Sequence, residues 1–366
     1  MSFTLLATGD LMLQKPPGAQ VSEILRDGDL VFANLELALT ERGEPADKLV
    51  CLRAAPALAG AVRHAGVGVV TLANNHLMDF GPTGLHDTLT ALDAAGLPHV
   101  GAGLDLEASF EPAALDSRGL RVAFLGIACT LPGGFAAGPD RPGVAPIRIF
   151  SRLVIDAVSM DENPGMSPYV ETVPMPGDVE RAAEAVGRAR SDADVVVVGI
   201  HWGVPNGWAA QTQDELATYQ RPLGHALVDA GADAVIGHHP HALHGVELYR
   251  GRPIFYSLGN FLFHSLLAAD PQLSRSYPPY RWTSLRSEVN HHGGVAKLTW
   301  SAAGEPVQVE LRPVWLDEAG EPCLPDEHQA RFAVEHVARL SSGLGASVEA
   351  RDGELGVTCV IKEVSV

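Results

Sequence analysis

Val69-Val70-Thr71-Leu72-Ala73-Asn74-Asn75-His76 is an apolar, β-branched run that ends in side chains able to bind a metal. Ala234-Val235-Ile236 runs in the same way into Gly237-His238-His239-Pro240-His241. Gly9-Asp10 follows Leu5-Leu6-Ala7, His201 follows Val195-Val196-Val197-Val198, and Asn34 and Glu36 follow Leu30-Val31-Phe32. A buried-strand pattern therefore closes repeatedly on an oxygen or imidazole donor. In open α/β sheets, ligands bind outside the carboxyl ends of strands. One rim is expected to gather Asp10, Glu36, Asn75, His201, His239 and His241, a donor set suited to a divalent cation.

Between these runs the periodicity changes to that of helices. Candidates cover 56–65, 83–96 and 214–230; Leu85, Leu89, Leu92 and Leu97 fall near helical spacing, and Gly96 is a stop signal. Alternation of strand and helix predicts an α/β fold. Residues 113–130 read as a hairpin turning at Ser117-Arg118-Gly119, and a second hairpin turns at Arg250-Gly251-Arg252. Two stretches interrupt the pattern. Residues 131–178 are rich in Pro and Gly and read either as a lid or substrate-binding insertion or as a passive excursion. Residues 264–292 contain Tyr277-Pro278-Pro279-Tyr280 and form a second insertion. Strands at 294–300 and 306–315 and a helix at 326–341 follow. The expected organisation is one domain over residues 1–320, with residues 321–366 packing a helix and strand on it.

The chain has 366 residues, 46% of them hydrophobic, which suffices for a large core. A net charge of −18 argues against nucleic acid as a partner. No apolar run reaches the length of a membrane span, and no signal-peptide pattern precedes the strand that begins at Phe3, so a cytoplasmic location is expected. Cys51, Cys129, Cys323 and Cys359 are widely spaced and read as thiols in a reducing compartment. The sequence sets no oligomeric state.

Taken singly, Asp10 suits a turn or helix cap, and Glu36 suits a solvated charge. Taken together they suit a metal. His239 and His241 stand two apart, which in extended chain puts both on one face. His76 is the candidate proton donor or charge stabiliser, with Asp79 fixing its tautomer. Asn34, His238, His244 and Asn260 are read as supporting these groups, and Trp202 as a wall of the site.

Gly9-Asp10-Leu11-Met12, Asn34-Leu35-Glu36, Asn74-Asn75-His76-Leu77-Met78-Asp79-Phe80-Gly81, His201-Trp202-Gly203, Gly237-His238-His239-Pro240-His241 and Tyr256-Ser257-Leu258-Gly259-Asn260-Phe261 resemble, in order and spacing, the CapA family of capsule and poly-γ-glutamate synthesis proteins. That family is similar to the calcineurin-like metallophosphoesterases. The resemblance implies an α/β four-layer αββα sandwich carrying one or two divalent ions (Mn, Fe, Zn, Mg or Ca). By motif, Glu36, Asn75, His201 and His239 would hold one ion, and Asp10, Glu36 and His241 the other. Met12 departs from the pattern, standing where phosphoesterases place a histidine. So do Val204-Pro205-Asn206 after the His-Trp-Gly motif, His244 in place of a Gln, and the pair His291-His292.

Three functions follow. The first is a metal-dependent hydrolase of the CapA type acting on a polyglutamyl, peptide or phosphate-bearing substrate. The second is a peptide Cα epimerase of a peptide natural-product pathway. It would use His76 with Asp79 as one base and His291 or His292 as the other. The third is a non-catalytic assembly factor that keeps the fold.

Overall fold

The computed structural model describes residues 2–203, 214–264, 288–301, 308–353 and 355–364. The Tyr277–Tyr280 motif and Val204-Pro205-Asn206 lie outside the described residues. The chain is mixed α/β, with two main sheets. In the larger, the strand Phe3–Met12 is central. It pairs in parallel with Leu30–Leu35, which pairs in parallel with Val69–Thr71. On its other side it pairs antiparallel with His292–Trp300, which continues to Gln308–Leu316 and the terminal hairpin Ala346–Gly353/Gly356–Glu363. The smaller sheet has Val195–His201 at its centre, parallel to both Leu120–Ala128 and Ala234–His238. Arg252–Phe255 runs parallel beyond Ala234–His238.

Three apolar clusters bind these sheets together. Phe3, Leu5, Phe32 and Val69 of the larger sheet meet Phe124, Val195, Val197 and Ile236 of the smaller in one cluster, where the Phe32 and Phe124 rings stack at 5.3 Å. Alternation puts Leu6, Val31 and Val70 on the other face of the larger sheet, among residues of the helices Ala19–Ile24, Leu58–His64 and Gly81–Ala94. Leu125, Ile127, Val196 and Val198 of the smaller sheet pack similarly with the helices Pro176–Asp192 and Gln220–Asp229. The C-terminal helix Glu327–Ser341 opens on a capping box from Asp326 and sends Ala333 and Val337 into the cluster shared by both sheets.

Several expectations shift. The helix expected over 214–230 starts only at Gln220, which places Pro222 in its first turn, where a missing N–H costs no helical bond. The 131–178 stretch is structured. Phe135, Val144 and Ile147 are buried, and Ile149–Val154 pairs antiparallel with Tyr169–Pro174 around the helix Ala157–Glu162. Its apolar residues do not alternate with polar ones, since Phe150 and Leu153 are both exposed although they lie on opposite faces. The four cysteines form no disulfide.

The two sheets approach closely where two glycines are register partners, Gly126 and Gly199. A β-carbon on Gly126 would lie 2.4 Å from Thr71 Oγ1 and 2.9 Å from the Gly101 backbone; one on Gly199 would lie 2.6 Å from Phe32 Cζ. Gly126→Ala is therefore expected to destabilise the protein by about 1–3 kcal/mol. Denaturant unfolding should show a lower midpoint at an unchanged slope. An unchanged midpoint would contradict this close approach.

Candidate metal centre

The parallel strands of both sheets bring their carboxyl ends to one place. Asp10 sits where the central strand changes partners: Thr8 is opposite Val295, but Asp10 is opposite Asn260 of the short strand Asn260–Phe263. Gly9 allows this change, because a β-carbon there would lie 1.9 Å from the Gly259 carbonyl oxygen. The strand ending at Leu35 delivers Asn34 and Glu36, and the turn after Val69–Thr71 delivers Asn75 and His76. His201 ends its strand, and His239 and His241 follow the strand Ala234–His238.

These side chains form two overlapping groups of ligand-type atoms, Glu36–His201–His239 and Asp10–Glu36–His241. Within each group the atoms lie within 4.8 Å of one another. His239 Nδ1 is 3.1 Å from His201 Nε2, and Glu36 Oε1 is 3.5 Å from His201 Nε2 and 3.7 Å from His241 Nε2. With bonds of about 2.0–2.1 Å, the ligand atoms of one tetrahedral ion lie about 3.3 Å apart. Asn75 Oδ1, 2.9 Å from His201 Nε2, adds a neutral oxygen to the first group.

The donor chemistry fits a cation. Glu36 Oε1 is buried and has no hydrogen-bond partner among the described residues, although it stands between both groups. Burial, and then the charge on Asp10, raise the Glu36 carboxyl well above its ordinary range. Burial also holds His201 well below the ordinary histidine range, and it takes His239 down to about 3 with the help of His241. Both rings are neutral near pH 7, the form that ligates metals. The backbone is strained at the same place: His239 has φ 101° and His241 φ 54°. Such conformations persist where the surroundings enforce them, and they cluster at functional sites.

Supporting contacts surround the groups. Asn34 Nδ2 donates to Asp10 Oδ1 at 2.8 Å and approaches Glu36 Oε2 at 3.4 Å. His238 Nδ1 lies 3.2 Å from Asp10 Oδ1. Asn260 Oδ1 is 2.9 Å from His241 Nδ1, which directs Nε2 of that ring toward Glu36. His76 Nδ1 is 2.7 Å from Asp79 Oδ2, which leaves Nε2 as the acceptor nitrogen.

Three further residues complete the arrangement, of which Lys48 and Asn290 gave no sequence signal. Lys48 Nζ donates to the Asn75 carbonyl and to Asp79 Oδ1, each at 2.6 Å, and lies 3.3 Å from His76 Nδ1. Burial and the Lys48 charge, opposed by Asp79, take His76 down to about 4. Asn74 Oδ1 accepts from the backbone N–H groups of His76 and Leu77, which shapes the turn that carries Asn75. Asn290 Nδ2 donates to the His241 carbonyl at 2.9 Å.

Other residues singled out from the sequence are placed elsewhere. The His291 ring stacks on Trp315 and meets the Leu316 carbonyl at 2.7 Å. The His292 ring is enclosed by Trp315 and Phe332, with centroids 4.8 and 4.6 Å away. The backbone, and not the rings, approaches the site here: a β-carbon on Gly293 would lie 1.9 Å from the Asn260 carbonyl oxygen. His244 is buried near His336 and Asp214. The Trp202 indole stacks on Tyr256 and donates to its carbonyl, because strand alternation turns it to the face opposite His201. Met12 is buried in the apolar cluster on the larger sheet.

Residues 4–265 match the family described as bacterial capsule synthesis protein PGA_cap. The chain belongs to this family. The matched region contains every member of both ligand groups, together with Lys48, His76 and Asp79; Asn290, His291 and His292 fall beyond it. Among relatives of the PGA_cap chain, the capsule biosynthesis protein CapA of Bacillus anthracis is 33% identical over 247 residues, covering 66% of this chain and 52% of the relative. The PGA biosynthesis protein CapA of Bacillus subtilis is 32% identical over 246 residues, covering 66% and 55%. This chain thus spans about half the length of those two relatives. An uncharacterized protein of Sinorhizobium fredii, y4sH, is 26% identical over 431 aligned residues, covering 96% of this chain and 92% of the relative.

Two outcomes test these placements. His239→Ala should lower the bound divalent metal, measured by elemental analysis, far more than His76→Ala does, and equal losses would mean the roles are misassigned. Removing the Lys48 charge takes away a cause that lowers the His76 pKa. In metal-free Lys48→Met, an NMR titration should find the His76 midpoint raised from about 4 toward its ordinary 6.5, and a midpoint that does not rise contradicts the contact.

Proposed function

We propose that this PGA_cap protein is a divalent-metal-dependent hydrolase acting on a polyglutamyl or related acidic peptide substrate. Its fold is read as the four-layer αββα sandwich of the calcineurin-like metallophosphoesterases. The layering that supports this is two facing sheets with helix-bearing apolar clusters on their outer faces. The observation that carries the functional reading is the unpartnered Glu36 Oε1 shared between two ligand groups. The substrate class follows the names of the Bacillus relatives, a capsule biosynthesis protein and a PGA biosynthesis protein.

Glu36, Asn75, His201 and His239 would hold one ion, and Asp10, Glu36 and His241 a second. A bound divalent ion supplies Lewis acidity to a carbonyl or phosphoryl oxygen and makes water more acidic. His76 is the acid–base residue. With Nδ1–H donated to Asp79, its Nε2 can take a proton from an attacking water and later return it to the leaving amine. Lys48 keeps the ring neutral and ready to accept, and it holds the Asn75 turn through the carbonyl. The second ligand group offers one histidine, and Met12 adds nothing to it, so its ion is expected to be the more weakly held.

Support for hydrolysis over epimerisation comes from the number of acid–base groups. Epimerisation requires two bases facing one Cα, and His291 and His292 stack on or against Trp315.

Purified protein reconstituted with Mn²⁺ or Zn²⁺ should cleave poly-γ-glutamate in H₂¹⁸O and place one ¹⁸O in each new carboxylate, as read by mass spectrometry. Chelation should abolish cleavage, and His76→Ala should slow it by about 10²–10⁴-fold. Metal-loaded protein without turnover would favour the assembly factor. Solvent deuterium entering Cα without cleavage would favour the epimerase.

A further inference from the structure

The loop that follows the strand Leu120–Ala128 has two sides. It leaves the strand beside the metal centre: Ala128 is the register partner of His201, and Cys129 N–H donates to the His201 carbonyl at 2.8 Å. On one side of the loop, the Phe135 ring lies 5.4 Å from Lys48 Nζ. On the other side, residues 131–134 and 136–139 line a cavity of about 450 Å³. Leu131 is three residues beyond Ala128, so the cavity begins within about 11 Å of the strand end at consecutive Cα spacings of 3.8 Å.

The charge lining this cavity runs against that of the chain. The protein carries a net −18, yet the cavity is lined by Arg141, Arg148 and Arg181 against a single acid, Asp178, a local surplus of two positive charges. Asp178 is already saturated. Arg148 grips it through Nε at 2.7 Å, Nη2 at 2.6 Å and its own backbone N–H at 3.0 Å. Arg181 Nη1 forms a looser ion pair with Asp178 at 3.6 Å, longer than a hydrogen bond. Arg141 spends one donor on the Ala136 carbonyl. Among the described residues, neither Arg141 nor Arg181 has a carboxylate bonded to its guanidinium fork, the geometry that recognises carboxylates in pairs of hydrogen bonds. Arg181 and Asp178 belong to the first turns of the helix Pro176–Asp192, whose N-terminal dipole adds positive potential. The remaining wall is apolar, with Leu106, Leu131 and Pro132.

We infer that this cavity is a carboxylate subsite: Arg141 and Arg181 bind side-chain carboxylates of an acidic peptide whose backbone continues past Phe135 to the metal centre. Cations beside apolar walls fit carboxylates on methylene stems better than a bare inorganic anion. The inference rests on the acidic-peptide reading of the substrate but not on the reaction performed.

The test is calorimetric binding of hexaglutamate, in α- and γ-linked forms, to full-length protein in metal-loaded and chelator-treated states. Hexaglutamine and inorganic phosphate are the comparison probes. Hexaglutamate should bind in both states, and Arg141→Glu with Arg181→Glu should weaken it at least tenfold while metal content and circular dichroism stay unchanged. Arg141→Lys with Arg181→Lys should recover part of the affinity. The subsite is overturned by unchanged affinity in the charge-reversed protein, by equal binding of hexaglutamine, by binding that vanishes with the metal, or by phosphate competing as well as hexaglutamate. Normal hexaglutamate binding without cleavage would count against hydrolysis alone. Cleavage with unaltered binding in the charge-reversed protein would count against the subsite alone.

Discussion

Asp10 and Glu36 place two carboxyl groups, each no more than 1% exposed, at the meeting point of two sheets. Two such groups cannot both ionise in so dry a place without a countercharge. The surrounding protein supplies only part of one. Asn34 bridges the pair with one amide, His238 and His241 approach Asp10, and the Lys48 ammonium is committed to Asp79 and the Asn75 carbonyl. One Glu36 oxygen is left without any hydrogen-bond donor. The neutral imidazoles around it add lone pairs, not positive charge. A site with this imbalance suits a cation, and the strand ends around it assemble the donor set.

Assembly demands unusually close backbone contacts. Gly9 meets the Gly259 carbonyl, and Gly293 meets that of Asn260, at separations that no β-carbon tolerates. His239 and His241 accept left-handed backbone conformations on either side of Pro240. A residue beyond Cβ normally avoids that region, so the neighbouring packing must hold it there. The cost falls where the ligands are aimed, while the sheet interiors keep regular pairing.

The ligand groups were legible because two signals coincide in the sequence: β-branched runs mark buried strands, and the donor residues follow immediately at their carboxyl ends. Lys48 gave no such signal. It lies in a polar stretch that resembles any solvated loop, and its partner Asp79 is 31 residues away. Asn290 was similarly hidden, two residues before the more conspicuous His292. Trp202 misled because chemical identity does not reveal which way a side chain faces, and in extended chain one residue reverses the face; His291, which ends the helical turn Glu288–His291, and His292, which opens the next strand, both turn to Trp315. The hairpin within 149–174 escaped notice because apolar residues occupy both of its faces, which removes the alternation that marks a half-buried strand.

The central strand Phe3–Met12 depends on partners from both ends of the chain. Thr4 lies beside Thr299, 295 residues away in sequence. During synthesis the strand Phe3–Met12 emerges well before its partner, so one of its two edges stays open until residues near Trp300 have been made. That edge belongs to the strand that bears Asp10. Pairings separated this widely form late, because closing so long a loop costs entropy before any contact repays it. An open apolar edge meanwhile invites pairing with other chains. Nascent chains of this protein should thus remain dependent on chaperone cover until residues near Trp300 have left the ribosome, and the rim that carries Asp10 should mature only then.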